Sequence, residues 1–425
     1  MRHSGKDSRP SWAGEHVYGC GSVKIFLVTE NFFKGGMDTV LVELCNHWPR
    51  SDDDLTIVCN ASHPGIATYR EKIKRPVTIL AHSWPVFASV QARIPRTWWR
   101  KLFIPFLKYG LLAYHVLHFF RVFKKEHCEA VLVVNGGYPG GDSCRAATIA
   151  GMLHTGGGSV VCNLHGLAAP LPRLLVWPEY VVDRLVAASC KTMLVVSCAV
   201  RQSLSGRPGL EGHCPVEVVH NGLSPLARRG PVAEELFPLR PQERYLLMLC
   251  TYEEGKGHAF VLRAFLEARV AHRDLHLVFC GYGCPAEMLR VTSLIPADAR
   301  DHVHVLPFLP EPGNLLAGAY LLLSGSQEFE SFGLTIIEAG CHGVPAVVTD
   351  VGGMPEVVQD GMTGYVVAHQ DPAMFAQRIC ELVENPVLRR QMGSAAQIRA
   401  REFTPERMAA RYAVAVHAPA RSLVP

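Results

Sequence analysis

Two glutamates, Glu330 and Glu338, stand eight residues apart in the stretch SQEFESFGLTIIEAGCHGVPAVVTDVGGMPEVVQDGMTG, which runs from Ser326 to Gly364. A Phe-Gly-Leu turn lies between them and opens an apolar segment, Leu334 to about Cys341, that predicts a short helix. The amides of Ser331, Phe332, Gly333 and Leu334 would then point out of a helix N-terminus. Such unsatisfied N–H groups favour an anion, a pyrophosphate for example. Glu338, one helical turn inside, could accept hydrogen bonds from sugar or ribose hydroxyls. A buried strand (Pro345 to Thr349), a Gly-Gly turn (Gly352, Gly353) and a second helix start with Glu356 follow. Taken alone, two carboxylates at this spacing also fit an ordinary β-turn-α element with surface glutamates.

The flanking residues separate those readings. S-x-x-x-E-S-F-G-L, E-A-x-x-x-G-x-P and D-V-G-G-x-P-E-V-V occur here in that order. The block resembles the E(x7)E signature of glycosyltransferase family 4, the retaining enzymes of the GT-B fold. The resemblance implies two Rossmann-like, doubly wound domains facing each other across a cleft. It implies a nucleotide-sugar as substrate, with no metal and no cofactor. It also implies that Glu338 holds the ribose and Glu330 the donor-sugar hydroxyls, with front-face attack, so that Glu330 is not assigned as a nucleophile.

Other positions gain meaning from the same resemblance. Gly35 and Gly36, between the first strand and a helix, allow close backbone approach to a ligand, and the family has a Gly-Gly loop there facing donor phosphate or acceptor. His165 closes the strand VVCNLH, at the end of a parallel strand where such sheets bind ligands; the family keeps a histidine there, near the transferred sugar. The segment LMLCTYEEGKGHAFVLRAF is similar to the family's G-R-x-x-x-x-K-G, with Lys256-Gly257 matching and Thr251 in the place of the arginine. Lys256 is then a point charge for the pyrophosphate, stabilising the leaving group where charge develops. The missing arginine weakens or alters the clamp. Gly281-Tyr282-Gly283 follows the strand LHLVFC and resembles a family turn lining the nucleotide cleft. It also fits the dinucleotide pattern G-x-G-x-x-A, but it lies in mid-chain and Pro285 would sit in its turn. Ser197 reads as a helix cap, and Val219-His220-Asn221-Gly222 marks the end of the first domain.

Composition bounds these readings. A chain of 425 residues, 48% hydrophobic and 19% charged, suits two globular domains. A net charge of +4 without an RNA- or DNA-binding signature gives no reason to expect nucleic acid. The 14 cysteines lack C-x-x-C spacing and several fall in apolar runs, which suits buried thiols in a cytoplasmic protein. Cys280 and Cys284 have no neighbouring His or Cys cluster to complete a zinc site. Asp52-Asp53-Asp54 precedes its strand and reads as the cap of a solvated turn, not as a metal motif. Residues 1–22 lack the apolar core of a signal peptide and read as a flexible tail. No run reaches the roughly 18–20 uninterrupted apolar residues of a membrane span.

Short β-branched runs alternate with amphipathic stretches, the pattern of parallel sheets with crossover helices. Strands are expected at Val23–Thr29, Leu55–Asn60, Val77–Ala81, Ala130–Asn135, Ser159–His165, Lys191–Ser197 and Val216–Asn221, making residues 23–225 an N-terminal acceptor domain. Residues 226–243 read as a linker rich in Pro and charge. The pattern restarts at Tyr245–Cys250, Leu275–Gly281, Val303–Phe308, Tyr320–Ser326 and Ala346–Thr349, within a donor domain of residues 244–403. Residues 404–425 form a last helix, which by resemblance returns to the first domain.

Lys72–Lys125 holds eleven Lys/Arg and no Asp or Glu, and its later part interleaves them with Trp98, Trp99, Phe103, Phe106, Tyr109, Phe119 and Phe120. That mixture suits an anionic membrane surface, each basic residue adding ~1 kcal/mol. It equally suits a long helix packed on the first sheet. The expected protein is a metal-independent retaining glycosyltransferase, cytoplasmic or at the inner membrane face. It moves a hexose-type sugar to a saccharide acceptor, free or lipid-linked, in polysaccharide or glycolipid synthesis. A nucleotide-sugar epimerase on the same fold and a non-catalytic sugar-nucleotide-binding protein are the rival readings.

Overall fold

The apolar runs of the sequence become the strands of two all-parallel sheets. The computed structural model describes residues 21–31, 35–94, 100–156, 158–172 and 175–419, with the backbone alone at 100–102. The expected tail, residues 1–22, thus lies almost wholly outside the described residues, as do Trp98 and Trp99. The first sheet holds β1 (Lys24–Glu30), β2 (Asp54–Asn60), β3 (Thr78–His82), β4 (Ala130–Asn135), β5 (Val160–Leu164), β6 (Thr192–Val195) and β7 (Val216–Val218). The second holds β8 (Arg244–Leu249), β9 (Leu275–Cys280), β10 (Val303–Leu306), β11 (Leu321–Ser324), β12 (Ala346–Thr349) and β13 (Gly364–Val367). β13 was not among the expected strands; its GYVV is short and bounded by turn residues.

Strand order is β3-β2-β1-β4-β5-β6-β7 in one sheet and β10-β9-β8-β11-β12-β13 in the other. In both, the order reverses between the first and fourth strands, so a crevice opens at the carboxyl ends of β1 and β4 and of β8 and β11. This is the GT-B arrangement of two doubly wound domains. Ile25 of β1 pairs with Leu55 of β2 on one side and Ala130 of β4 on the other. Every residue of β4 and β9 is buried, as expected of strands covered by helices on both faces. Each fully buried Val, Leu or Phe there adds roughly 1.5–3 kcal/mol.

The long helix Arg100–Lys125 forms the later part of the basic, acid-free stretch. Phe119 and Phe123 are fully buried in the first domain's core, whereas Phe103, Phe106 and Leu117 are exposed. Its Phe103–Lys125 portion is long and apolar enough to cross a membrane by length and composition, yet one face of its C-terminal half, with Phe119, Val122 and Phe123, is buried in the core. Behind it lies a buried ion network: Glu179 meets Arg145 at 2.8 Å, Arg207 at 2.9 Å and Lys108 at 2.8 Å, and Arg207 meets Asp183 at 2.8 Å.

The linker of residues 226–243 contains a short helix, Ala233–Leu236, after which Phe237 stacks on His304 at 4.3 Å and packs edge-on against Tyr245. One expectation needs correction. Asp53 does not cap a solvated turn. It is buried and accepts from Trp48 Nε1 (2.8 Å), with His417 Nε2 also at 2.8 Å. Through that contact, and through Lys191 Nζ donating to the Val416 carbonyl at 3.1 Å, helix Pro405–His417 is fastened to the first domain.

Candidate active site

The loops after β8 and β11 flank the second switch point, and this brings Lys256 and Glu330 together. Lys256 ends a single 3₁₀ turn, Glu254–Lys256, and Gly257 then opens the helix His258–Ala271. Gly257 sits at φ +78°, and a Cβ there would come within 1.9 Å of the Gly325 carbonyl oxygen, so only glycine lets the two loops close up. Lys256 Nζ lies 2.8 Å from Glu330 Oε2 and 5.3 Å from the Phe329 ring centroid. Burial works against the lysine charge, but Glu330 outweighs it and the ammonium pKa is raised. Spacing in the sequence did not couple these two residues; the switch point does.

The helix Leu334–Cys341 begins where the sequence places it, with Gly333 as its N-cap at φ +97°. Leu334 is thus the first helical residue, and Ser331–Gly333 form the turn before it. The side chain of Phe332 is buried and stacks on His220 at 5.3 Å, so this residue can meet a donor only through its backbone. Glu338 is half-buried, without a hydrogen-bond or ion-pair partner among the described residues, and burial pushes its carboxyl up to about 7. Thr251 follows β8, and its hydroxyl is buried without a hydrogen-bond partner among the described residues. Beside it Cys250 Sγ lies 3.7 Å from His258 Nε2. Burial pushes the thiol up to about 12 and the imidazole down to about 4, so the pair is neutral and not a nucleophile. A Cβ on Gly281 would meet the Cys250 carbonyl oxygen at 1.7 Å, so its lack of a side chain serves loop packing.

Across the cleft stand the carboxyl ends of the first sheet. Gly35 is the N-cap of helix Gly36–Asn46, and its amide donates to Asp38 Oδ2 at 3.2 Å. A Cβ on Gly36 would approach Leu334 Cδ1 to 2.6 Å, so the close approach that glycine permits is to the facing domain. His165 follows β5, its amide donating to the Asn135 carbonyl at 2.8 Å. Burial holds its imidazole at about 4, hence neutral near pH 7. Its side chain has no hydrogen bond among the described residues. Glu30, which sequence reasoning passed over, ends β1 and accepts from Ser143 Oγ at 2.5 Å; burial raises its pKa. An acid closing an otherwise apolar strand was the available signal. Ser197 caps helix Cys198–Ser203 through Val200 N at 3.1 Å, as expected. Among the described residues no cluster of three or more His, Cys, Asp or Glu is arranged to hold a metal.

Residues 234–399 match the family model of glycosyl transferases group 1. Over 160 residues the chain is 34% identical to a D-inositol 3-phosphate glycosyltransferase of Corynebacterium diphtheriae, covering 36% of this chain and 37% of that protein. The chain thus matches well under two thirds of the length of its curated relatives. Its fold is similar to that of a glycosyltransferase from Rickettsia africae (TM-score 0.70, 17% identity, 92% of this chain and 97% of that one). It is also similar to that of Anabaena HepE in complex with UDP and glucose (TM-score 0.66, 17% identity, 92% and 98%). The second domain, over residues 234–399, is thus similar in sequence to the group 1 glycosyl transferases, and the two domains together have the GT-B fold.

Proposed function

We propose that the protein is a retaining, metal-independent glycosyltransferase that moves a sugar from a nucleotide-sugar donor to a saccharide acceptor. The observation that carries this reading is the Lys256–Glu330 pair at the switch point, beside a glycine-opened helix with Glu338 one turn inside. The donor diphosphate would take the charge of Lys256 and the amides of the Ser331–Leu334 turn, both aimed where negative charge grows as the glycosidic bond breaks. Glu330 holds Lys256 charged and has a second oxygen for a donor-sugar hydroxyl. Glu338 would accept from ribose hydroxyls, and Thr251 would satisfy its buried hydroxyl on the same ligand. His165, neutral, offers a donor or acceptor nitrogen at the facing edge. The structure of HepE with UDP and glucose supports a nucleotide-sugar as ligand.

The acceptor reading is a saccharide, free or lipid-linked, in polysaccharide or glycolipid synthesis at the inner face of the membrane. Its support is the exposed Phe103 and Phe106, with Trp177 exposed on the neighbouring helix Val176–Ser189, beside the acid-free basic stretch. A panel of UDP-, GDP- and ADP-sugars in a thermal-shift assay tests the reading, since ligand at 100 times Kd adds ~2.7 kcal/mol. The responding donor is then incubated with and without oligosaccharide acceptors and the product anomer read by NMR. No stabilisation by any sugar nucleotide would defeat the proposal, and conversion of the donor without acceptor would point to an epimerase.

A further inference from the structure

Glu356 belongs to the second domain, on the short helix Met354–Val357 after β12, yet its carboxylate is satisfied by the first domain. Its Oε2 accepts from the amide of Cys198 at 2.9 Å and its Oε1 from the amide of Ala199 at 3.2 Å. These are the first two residues of helix Cys198–Ser203, whose next amide, Val200, is already taken by Ser197 Oγ. His220 Nε2, in the segment after β7, donates to the same carboxylate at 3.0 Å. From its own side, Arg399 Nη2 donates to the Glu356 carbonyl at 2.7 Å and holds the turn that presents the carboxylate.

The same contact reaches the donor turn. Phe332 stacks on His220 with ring planes 23° apart, and both rings pack against Phe403. Gly353 donates its amide to the Glu330 carbonyl at 2.9 Å, and a Cβ on it would meet Ser331 O at 2.5 Å and Ser197 Cβ at 3.1 Å. Glu330, Phe332, Gly353 and Glu356 are thus one packed unit, fixed to the first domain at Ser197–Ala199 and His220.

We propose that Glu356 is a positioning residue that clamps the donor turn 330–334 to the acceptor domain, by capping helix Cys198–Ser203 and engaging His220 across the domain seam. Burial opposes the charge of Glu356, but the hydrogen bonds from His220 and the two amides win and its pKa is lowered, so the carboxylate accepts charge-assisted hydrogen bonds. The consequence for transfer rests on the glycosyltransferase reading; the clamp itself does not.

The test compares full-length wild type, Glu356→Ala and Glu356→Gln by hydrogen–deuterium exchange and by kinetics. Glu356→Ala should speed exchange about 10-fold or more at 198–199 and also in the 329–335 peptide, with Glu356→Gln intermediate. Affinity for the free nucleoside diphosphate should change less than about 3-fold, while kcat/KM for the acceptor falls roughly 10- to 100-fold. Faster exchange at 198–199 alone would make Glu356 a helix cap only and overturn the clamp, as would unchanged exchange at both places. If Glu356→Ala does not fold, Glu356→Gln carries the same exchange comparison and decides in the same way. If exchange moves at both segments but no sugar nucleotide is turned over, the clamp stands and the glycosyltransferase reading falls.

Discussion

Replacing Glu338 by glutamine should make the folded protein more stable and a poorer nucleotide binder at the same time. Burial in the cleft raises the Glu338 carboxyl from 4.5 to about 7. Between those pH values the unfolded chain has lost this proton while the folded chain keeps it. Stability from this group therefore falls as pH rises through that window and is flat above it. At 1.36 kcal/mol per pH unit the full effect is ~3 kcal/mol. Partial solvent access lowers it to about 2 kcal/mol, worth roughly 4–8 °C in Tm for a domain of this size. Glutamine copies the shape of the protonated acid without the cost of ionising, so the gain of Glu338→Gln should be near zero at pH 4.5 and largest above pH 7. Scanning calorimetry of both proteins from pH 4.5 to 8 reads this difference. Nucleoside diphosphate binding should weaken roughly 10-fold, because a charged acceptor is replaced by a neutral one. Parallel Tm curves for the two proteins across that range would refute the argument, since Glu338 would then be no more costly to ionise folded than unfolded.

Lys256→Ala should cut kcat/KM by ~100-fold or more, about 2.7 kcal/mol of transition-state stabilisation; a near-normal value in steady-state assays would place the phosphates on groups other than Lys256. Glu330→Ala should lower turnover yet leave diphosphate affinity unchanged or tighter, because Lys256 loses its competing partner at 2.8 Å; calorimetric titration showing a loss as large as that of Glu338→Gln would contradict this division of roles. Glu179→Ala should destabilise the first domain by about 3–5 kcal/mol, leaving buried Arg145 with Asp142 and Arg207 with Asp183 as their remaining carboxylate partners, as urea melts would register. Anionic liposomes should co-sediment the protein at low salt and release it as salt rises, with attraction screened over about 10 Å at 0.1 M; the triple change Phe103→Ser, Phe106→Ser, Trp177→Ser should abolish this, and equal binding by the variant would assign those aromatics another role.

The sequence by itself determined the local and periodic features of this protein. Apolar β-branched runs with crossover stretches set two parallel sheets, because a strand buried on both faces leaves no other composition. The start of the helix at Leu334 was legible because only glycine at 333 accommodates the left-handed turn that opens it. A last helix near Pro405–Val416 was legible, its return to the first domain only through the family resemblance. The tertiary structure alone decided which of these local features meet. Lys256 and Glu330 are 74 positions apart and pair because β8 and β11 are neighbours at the switch point. Glu356 read as a helix-start residue of its own domain, whereas it caps a helix 157 positions away in the other. Asp53 read as part of a solvated acidic turn until helix Pro405–His417 folded over it and brought His417 to 2.8 Å. The physical reason is the same each time. Backbone preference and hydrophobic period act over a few residues, but a carboxylate's partner is fixed by the packing of whole domains, which no local pattern records.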